Sequence, residues 1–271
     1  KLPPIQDLLI TAAMATEAPA FSNPEVVQAF EAIFKAGREQ MEFGRLHEEI
    51  ARPLGIPPVR YPGGAVRTPF DMITDRLRGM QGVSVDMFKQ PEKLRAAMEK
   101  ILEWQKVMAV PADPKERGRR RVLGSMSHWG AKQFLSRKQF YDFYWPTAKR
   151  SLMTAIDMGY VPVPYPEGDF DDRIECFLEL PKGKILLYNQ ILDVVKAKEV
   201  LGGHVAFMGG VPAALLHFGS PKEVEEHCKK IIGICGKGGG YILSAAAVGE
   251  EDAKPENLKA MCDAVRKYGQ Y

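Results

Sequence analysis

Five short apolar stretches, each followed by a helical pattern, set the tightest limit on what this chain can fold into. From residue 121 the stretches RVLGSMSHW, YVPVPYP, KILLYNQ, HVAFMGG and YILSAAA alternate with SRKQFYDFYWPTAKRSLMTAIDMG, FDDRIECFLELP, DVVKAKEVLGG, SPKEVEEHCKKIIGICGKGG and KPENLKAMCDAVRKYG. A strand reached through a helix lies parallel to the strand before it, so repeated β/α units predict a parallel sheet faced by helices. Pro221 and Pro255 fall in first helical turns, where no N–H is needed, and glycines close several of the helices. A (β/α)8 TIM barrel and a doubly wound open sheet both satisfy this alternation. No G-x-G-x-x-G follows the first strand of any unit, and GKGGGY (236–241) ends a helix instead of opening one. A dinucleotide-binding fold therefore has little support.

Residues 1–115 read differently. NPEVVQAFEAIFKAGREQMEFGRLHEEIARPLG places apolar side chains at helical spacing behind Asn23 as a cap and Pro24 in the first turn. QPEKLRAAMEKILEWQKVMAVPADP repeats the scheme between Pro91 and Pro111. Between them, GIPPVRYPGGAVRTPFDMITDRLRG reads as a long ordered loop leading into a short helix, and PADPKERGRRR reads as a solvated basic turn. The expectation is a single domain over residues 1–271, mainly helical over 1–115 and built of regular β/α units over 116–271. Five clear strands instead of eight, and an opening KLPPIQDLL that reads as entry partway into a domain, predict that N-terminal strands are missing.

Composition removes several function classes. A formal net charge of +3 is too small to argue for nucleic acid or a membrane surface, and no apolar run approaches the roughly 20 residues of a membrane span. The opening lacks the basic-then-apolar order of a secretory signal. Cys176, Cys228, Cys235 and Cys262 form no C-x-x-C pair and sit in apolar or helical contexts, which points to reduced thiols and a cytoplasmic protein. No set of soft ligands converges locally, so no metal ligands are predicted.

HVAFMGGVPAALLHFGSPKEVEEHCKKIIGICGKGGGYILS, followed by AKPENLKAMCDAVRKYGQY, resembles the C-terminal signature of the uroporphyrinogen decarboxylase superfamily. In that signature a strand ends in G-N-x-P, a G-T/S-P-x-E-V helix start follows, and a later strand precedes P-x-E-N. GSMSHWGAKQFLSRKQFYDFYWPTAK resembles the family's segment around F-M-S and F-Y-x-P, and EGDFDDRIECFLELPKGK and DVVKAKEVLGG fit one subgroup. The resemblance implies a (β/α)8 barrel with its pocket at the C-terminal ends of the strands. It also implies one of two chemistries. One is removal of acetate carboxyls from uroporphyrinogen; the other is methyl transfer between a corrinoid protein and a thiol, folate or methoxylated substrate, typically with zinc. The expected partners are accordingly a corrinoid protein, a small-molecule or tetrapyrrole substrate, and a second copy of the chain in a homodimer. No tightly bound cofactor is expected, any corrinoid being carried by the partner; zinc remains an alternative whose ligands are not evident in the sequence.

This chain departs from the pattern at informative places. Where the decarboxylases have G-H-G and the zinc methyltransferases a cysteine, it has Ala245-Ala246-Ala247; at the candidate position for the zinc branch's His-x-Cys it has Tyr188-Asn189-Gln190. The family's arginine-rich N-terminal motif is not visible. Other strand ends must then carry the chemistry. His128 follows GSMS, and Glu167, Asp169, Asp171, Asp172 and Arg173 cluster after the next strand. A carboxylate beside an arginine can hold a polar ligand, or serve as acid or base if burial shifts its pKa. We assign Glu167, His128 and Asp193 as candidate catalytic residues, with helix capping the competing role for Asp193 and for Asp171 and Asp172. Arg173, Tyr188, Asn189, Gln190, Met208 and Gly209 are the candidate binding residues. Phe140, Tyr141, Phe143, Tyr144 and Trp145 form either a pocket wall or helix core. The functional expectation is a corrinoid-linked methyltransferase relative without the usual zinc ligands. The alternatives are uroporphyrinogen decarboxylation and a non-catalytic binding barrel.

Overall fold

The computed structural model describes residues 23–55, 59–60, 67–108, 121–188, 193–246 and 252–270, with backbone alone for 59–60, 108 and 121–126. The chain divides into two compact units, Lys1–Pro58 and Val59–Tyr271. The described part of the first is one long helix, α1 (Pro24–Ala51). Asn23 caps it, its side-chain oxygen accepting from the Glu25 N–H at 2.9 Å, and Pro24 takes the first turn. Arg45 pairs along its surface with Glu42 and Glu49, an arrangement that supports an exposed helix by a few tenths of a kcal/mol per pair.

The second unit carries the β/α alternation. It opens with β1 (Val59–Arg60), α2 (Pro69–Met72) running into a π-helical turn (Ile73–Arg78), α3 (Gly79–Lys89) and α4 (Pro91–Met108). There follow β2 (Arg121–Ser127), α5 (Arg137–Gln139), a second π-helical turn (Phe140–Tyr144), α6 (Trp145–Asp157) and β3 (Tyr160–Pro166). The rest is β4 (Leu186–Tyr188), α7 (Val194–Leu201), β5 (Ala206–Val211), α8 (Ala213–Phe218), α9 (Pro221–Cys235), β6 (Tyr241–Ala245) and α10 (Pro255–Tyr268). All five strands expected from residue 121 onward are present. β1 is an addition: two residues inside a Pro-rich segment show no alternation, and only their pairing with Val122 and Leu123 makes them a strand.

Every described pairing is parallel, in the orders β1-β2-β3 and β4-β5-β6. The break between the two ladders has a cause in the sequence of β3. In a parallel strand alternate residues direct N–H and C=O to the same neighbour. The Glu167 N–H donates to the Ser127 carbonyl at 3.0 Å, so the odd-numbered residues of β3 face β2. Pro162, Pro164 and Pro166 then face the other way, and none of the three can donate. Side chains close the seam instead, with the Tyr165 and Tyr188 rings 4.7 Å apart.

FDDRIECFLELP forms a short 3₁₀ helix (Ile174–Glu179) where an α-helix is expected from sequence. Ile174, Cys176 and Phe177 are its buried side chains, Leu180 is buried just beyond it, and Pro181 follows. The aromatic run after Ser136 belongs to the core: Phe140, Phe143, Tyr144 and Trp145 are all buried, among Phe70, Phe170 and Phe177. A smaller apolar cluster of Val211, Leu216, Val224, Cys228, Ile232 and Ala264 ties α9 and α10 to the end of β5. No described helix is long and apolar enough to cross a membrane.

Candidate active site

The β2–β3 register pairs Ser127 with Pro166, so the next residues, His128 and Glu167, emerge side by side from the C-terminal ends of two parallel strands. His128 Nδ1 and Glu167 Oε2 are in direct contact. The other ring nitrogen, Nε2, lies 3.9 Å from Asp75 Oδ2. Asp75 sits on the first π-helical turn, where it accepts from Trp129 Nε1 at 2.7 Å and from Arg67 Nη1 at 2.6 Å. π-helical turns recur at functional sites because the extra residue re-aims the side chains.

Behind this group lies Asp71, fully buried. Its carboxylate accepts from the backbone N–H groups of Trp129 (3.0 Å) and His128 (3.3 Å) and from the Tyr144 hydroxyl (2.9 Å). One side chain of α2 thus pins the segment that carries His128 and Trp129. Gly130 lets the segment pass: a Cβ there would stand 2.7 Å from the Tyr144 ring. The group opens on a cavity of about 530 Å³. Trp129, Phe134 and Gly168 give it apolar walls, and Asp75, His128, Glu167 and Gln133 give it polar ones.

Burial pushes the Asp71 carboxyl up to about 6, against its hydrogen bonds and the nearby His128, which pull it down. Burial, with the Asp71 charge behind it, raises the Tyr144 phenol as well. The Asp71 shift makes a signed prediction. Between 3.8 and about 6 the folded chain keeps a proton that the unfolded chain has released, so stability is full below that window and falls as pH rises through it. Two pKa units correspond to about 3 kcal/mol. Urea unfolding near pH 4 and near pH 7 should show the unaltered chain losing about 3 kcal/mol more than Asp71→Asn across that range. Parallel losses in the two proteins would contradict the assignment.

Of the residues singled out from sequence, His128 and Glu167 meet at this cavity. Asp193 serves as the cap of α7: it is exposed, and its carboxylate accepts from the N–H groups of Val195 (2.8 Å) and Lys196 (3.4 Å). Arg173 requires a correction, because it is a buried structural residue and not a ligand-facing one. It is 1% exposed, with Nη1 donating to the carbonyls of Gly130 and Leu135, both at 3.0 Å. Its Nε and Nη2 donate to Asp172 and its guanidinium lies over Phe140, so its donors are committed inside the fold. The rest of the acidic cluster is paired too, Asp169 with Lys132 and Asp171 with Lys196.

Tyr188 is half-buried at the end of β4, its hydroxyl donating to the Ala245 carbonyl at 3.2 Å. Met208 is half-buried and Gly209 buried in β5, where the Gly209 carbonyl accepts from the Tyr241 hydroxyl at 2.8 Å. None of these three lines the cavity. Asn189 and Gln190 lie outside the described residues, as does Ala247. Asp71, Asp75, Trp129 and Phe134 are additions to the site. TPFDMITD sets the two acids four apart, about one helical turn, but nothing in that spacing ties either of them to the distant His128.

The described side chains do not fit zinc. Among the described residues no three of His, Cys, Asp or Glu converge in metal-holding geometry. Burial raises the thiols of Cys176, Cys228 and Cys235, the opposite of what a metal ligand needs, and Ala245 and Ala246 offer no donor atom in their side chains.

Parallel strands alternating with helices, with His128 and Glu167 in contact at adjacent strand C-termini, define an α/β fold. The family model "Uroporphyrinogen decarboxylase (URO-D)" matches residues 61–268, and the chain belongs to that family. Members of the superfamily are decarboxylases and methyltransferases. The chain is 32% identical over 77 residues to a uroporphyrinogen decarboxylase from Pseudoalteromonas atlantica, a match spanning 28% of this chain and 21% of the relative. Its fold is similar to that of a methyltransferase from Methanosarcina mazei, with a TM-score of 0.63 at 18% identity over 82% of this chain and 63% of the other. The chain thus spans about a fifth of the curated relative it matches and less than two thirds of that methyltransferase.

Proposed function

We propose that this chain is a methyltransferase of the superfamily, acting with a corrinoid held on a partner protein. We also propose that its six strands form part of a (β/α)8 barrel. The observation that carries the catalytic reading is the contact between His128 and Glu167 at adjacent strand ends, opening on a cavity. The carboxylate of Glu167 orients the imidazole, leaving Nε2 to give or take a proton at a substrate heteroatom as the methyl group moves. The corrinoid, when the partner supplies it, donates or accepts the methyl group itself. Asp71 fixes the His128 backbone and Trp129 walls the cavity against water.

Uroporphyrinogen decarboxylation is the second reading, favoured by the curated relative. A polyacidic substrate calls for several cations, whereas no lysine or arginine lines the cavity among the described residues. Incubation with a methyl-corrinoid partner protein and a panel of acceptors and donors should change the cobalt absorption spectrum. No spectral change, together with coproporphyrinogen formed from uroporphyrinogen, would replace the first reading by the second.

A further inference from the structure

We infer that the cavity beside His128 and Glu167 binds a small organic cation, an alkylated ammonium group. The inference rests on the reading of this cavity as the reaction site and names the class of molecule that enters it. Three observations bear on the ligand. First, two carboxylates, Glu167 and Asp75, line the cavity, and the Glu167 side chain is 40% exposed. Second, the basic side chains nearby leave the balance negative. Arg67 is engaged with Asp75, and His128 stands between Asp75 and Glu167, with the Asp71 carboxyl behind them. Among the described residues, the carboxylates of Glu167 and Asp75, with the buried Asp71 carboxyl behind them, stand against one guanidinium and one imidazole. Third, the remaining walls are apolar and aromatic: Trp129 and Phe134 meet edge to face with ring centres 4.6 Å apart.

Each class of ligand meets this lining differently. An anion would face carboxylates with no lysine or arginine on the wall among the described residues. A neutral polar molecule would gain nothing from the rings. A cation with an apolar shell gains from both, because the electron-rich faces of indole and phenyl rings attract it while its alkyl groups displace water from them. Indole is the strongest of the aromatic side chains in this role. A volume of about 530 Å³ lies within the range of small-molecule pockets and admits such a group with its substituents.

The test is isothermal calorimetry on the full chain with three probes of one shape: choline, its neutral tert-butyl analogue, and tert-butylacetate as the anion. Choline should bind about tenfold more tightly than the neutral analogue, and the anion should not bind. Glu167→Gln should remove about tenfold of choline affinity and leave the neutral analogue unchanged, and Trp129→Leu should weaken choline as well. Thermal melts establish that both variants fold; if Trp129→Leu does not, Glu167→Gln decides the matter. Equal affinity for choline and the neutral analogue, tighter binding of the anion, or unchanged choline affinity in the folded variants would overturn the inference. Binding needs no corrinoid partner and no turnover. Loss of the choline preference with methyl transfer intact would therefore sink this inference alone, while retained preference without methyl transfer would sink the catalytic reading alone.

Discussion

Glu167→Gln and His128→Asn should each slow methyl transfer about a hundredfold, and the double variant should be little slower than the worse single one. The expectation comes from geometry. His128 Nδ1 is in contact with Glu167 Oε2, so the carboxylate decides which ring nitrogen carries the proton and how the ring is turned. Glutamine keeps the shape and a carbonyl acceptor but loses the carboxylate that fixes the ring's orientation and tautomer. Asparagine at 128 keeps a polar group of similar reach and loses the proton carrier. Two groups that act as one unit fail together, which makes their losses non-additive. Neither replacement should unfold the chain, because both side chains are partly exposed, 24% for His128 and 40% for Glu167. Stopped-flow recording of the cobalt spectrum on the three variants decides it. Losses that multiply would mean the residues act separately, and losses below about threefold would remove the pair from the chemistry.

The meeting of His128 and Glu167 was legible because it depends on local facts. Two apolar runs end, each is followed by a polar residue, and parallel pairing brings successive strand ends together; only the one-residue accuracy of the register, Ser127 on Pro166, came from the structure. Capping was legible for the same reason: Asn23 caps α1 ahead of Pro24 in the first turn, as the sequence predicts. Asp71 was not legible as part of the site. It lies 57 residues from His128 in sequence, and in PFDM it reads as an ordinary first-turn acid favoured by the helix dipole. Its partners are backbone N–H groups, which no side-chain pattern announces. Arg173 misled for the converse reason. An arginine among acids at a strand end looks solvent-facing, and nothing in PEGDFDDR says that two carbonyls of a preceding loop will fold over it. Long-range hydrogen bonds to the main chain decided both cases, and a sequence pattern does not display them.

Arg173→Met should cost about 3–5 kcal/mol of stability, the largest loss expected from any single replacement near the site. Methionine fills most of the volume, so the loss is that of hydrogen bonds more than of packing. With the guanidinium gone, the carbonyls of Gly130 and Leu135 remain in a closed interior without their donor, each at a cost of about 1–3 kcal/mol. Phe140 loses the planar cation against its ring. Asp172 contributes little to the total because it is 44% exposed and water takes over its solvation. Asp172→Asn should accordingly cost about 1 kcal/mol or less, and Arg173→Lys should not rescue the site, since a single ammonium cannot reach both carbonyls and the carboxylate. In thermal unfolding the methionine variant should melt about 10 °C lower. The same replacement should reach the cavity. Gly130 and Leu135 bracket the segment that carries Gln133 and Phe134, and Trp129 immediately precedes it, so releasing the two carbonyls frees the aromatic wall to move. Amide hydrogen exchange over residues 129–135 should then quicken in Arg173→Met and not in Asp172→Asn. If exchange there stays slow while global stability falls, Arg173 holds the core but not the pocket, and the hydrogen bonds to Asp71 and Asp75 keep the aromatic wall in place.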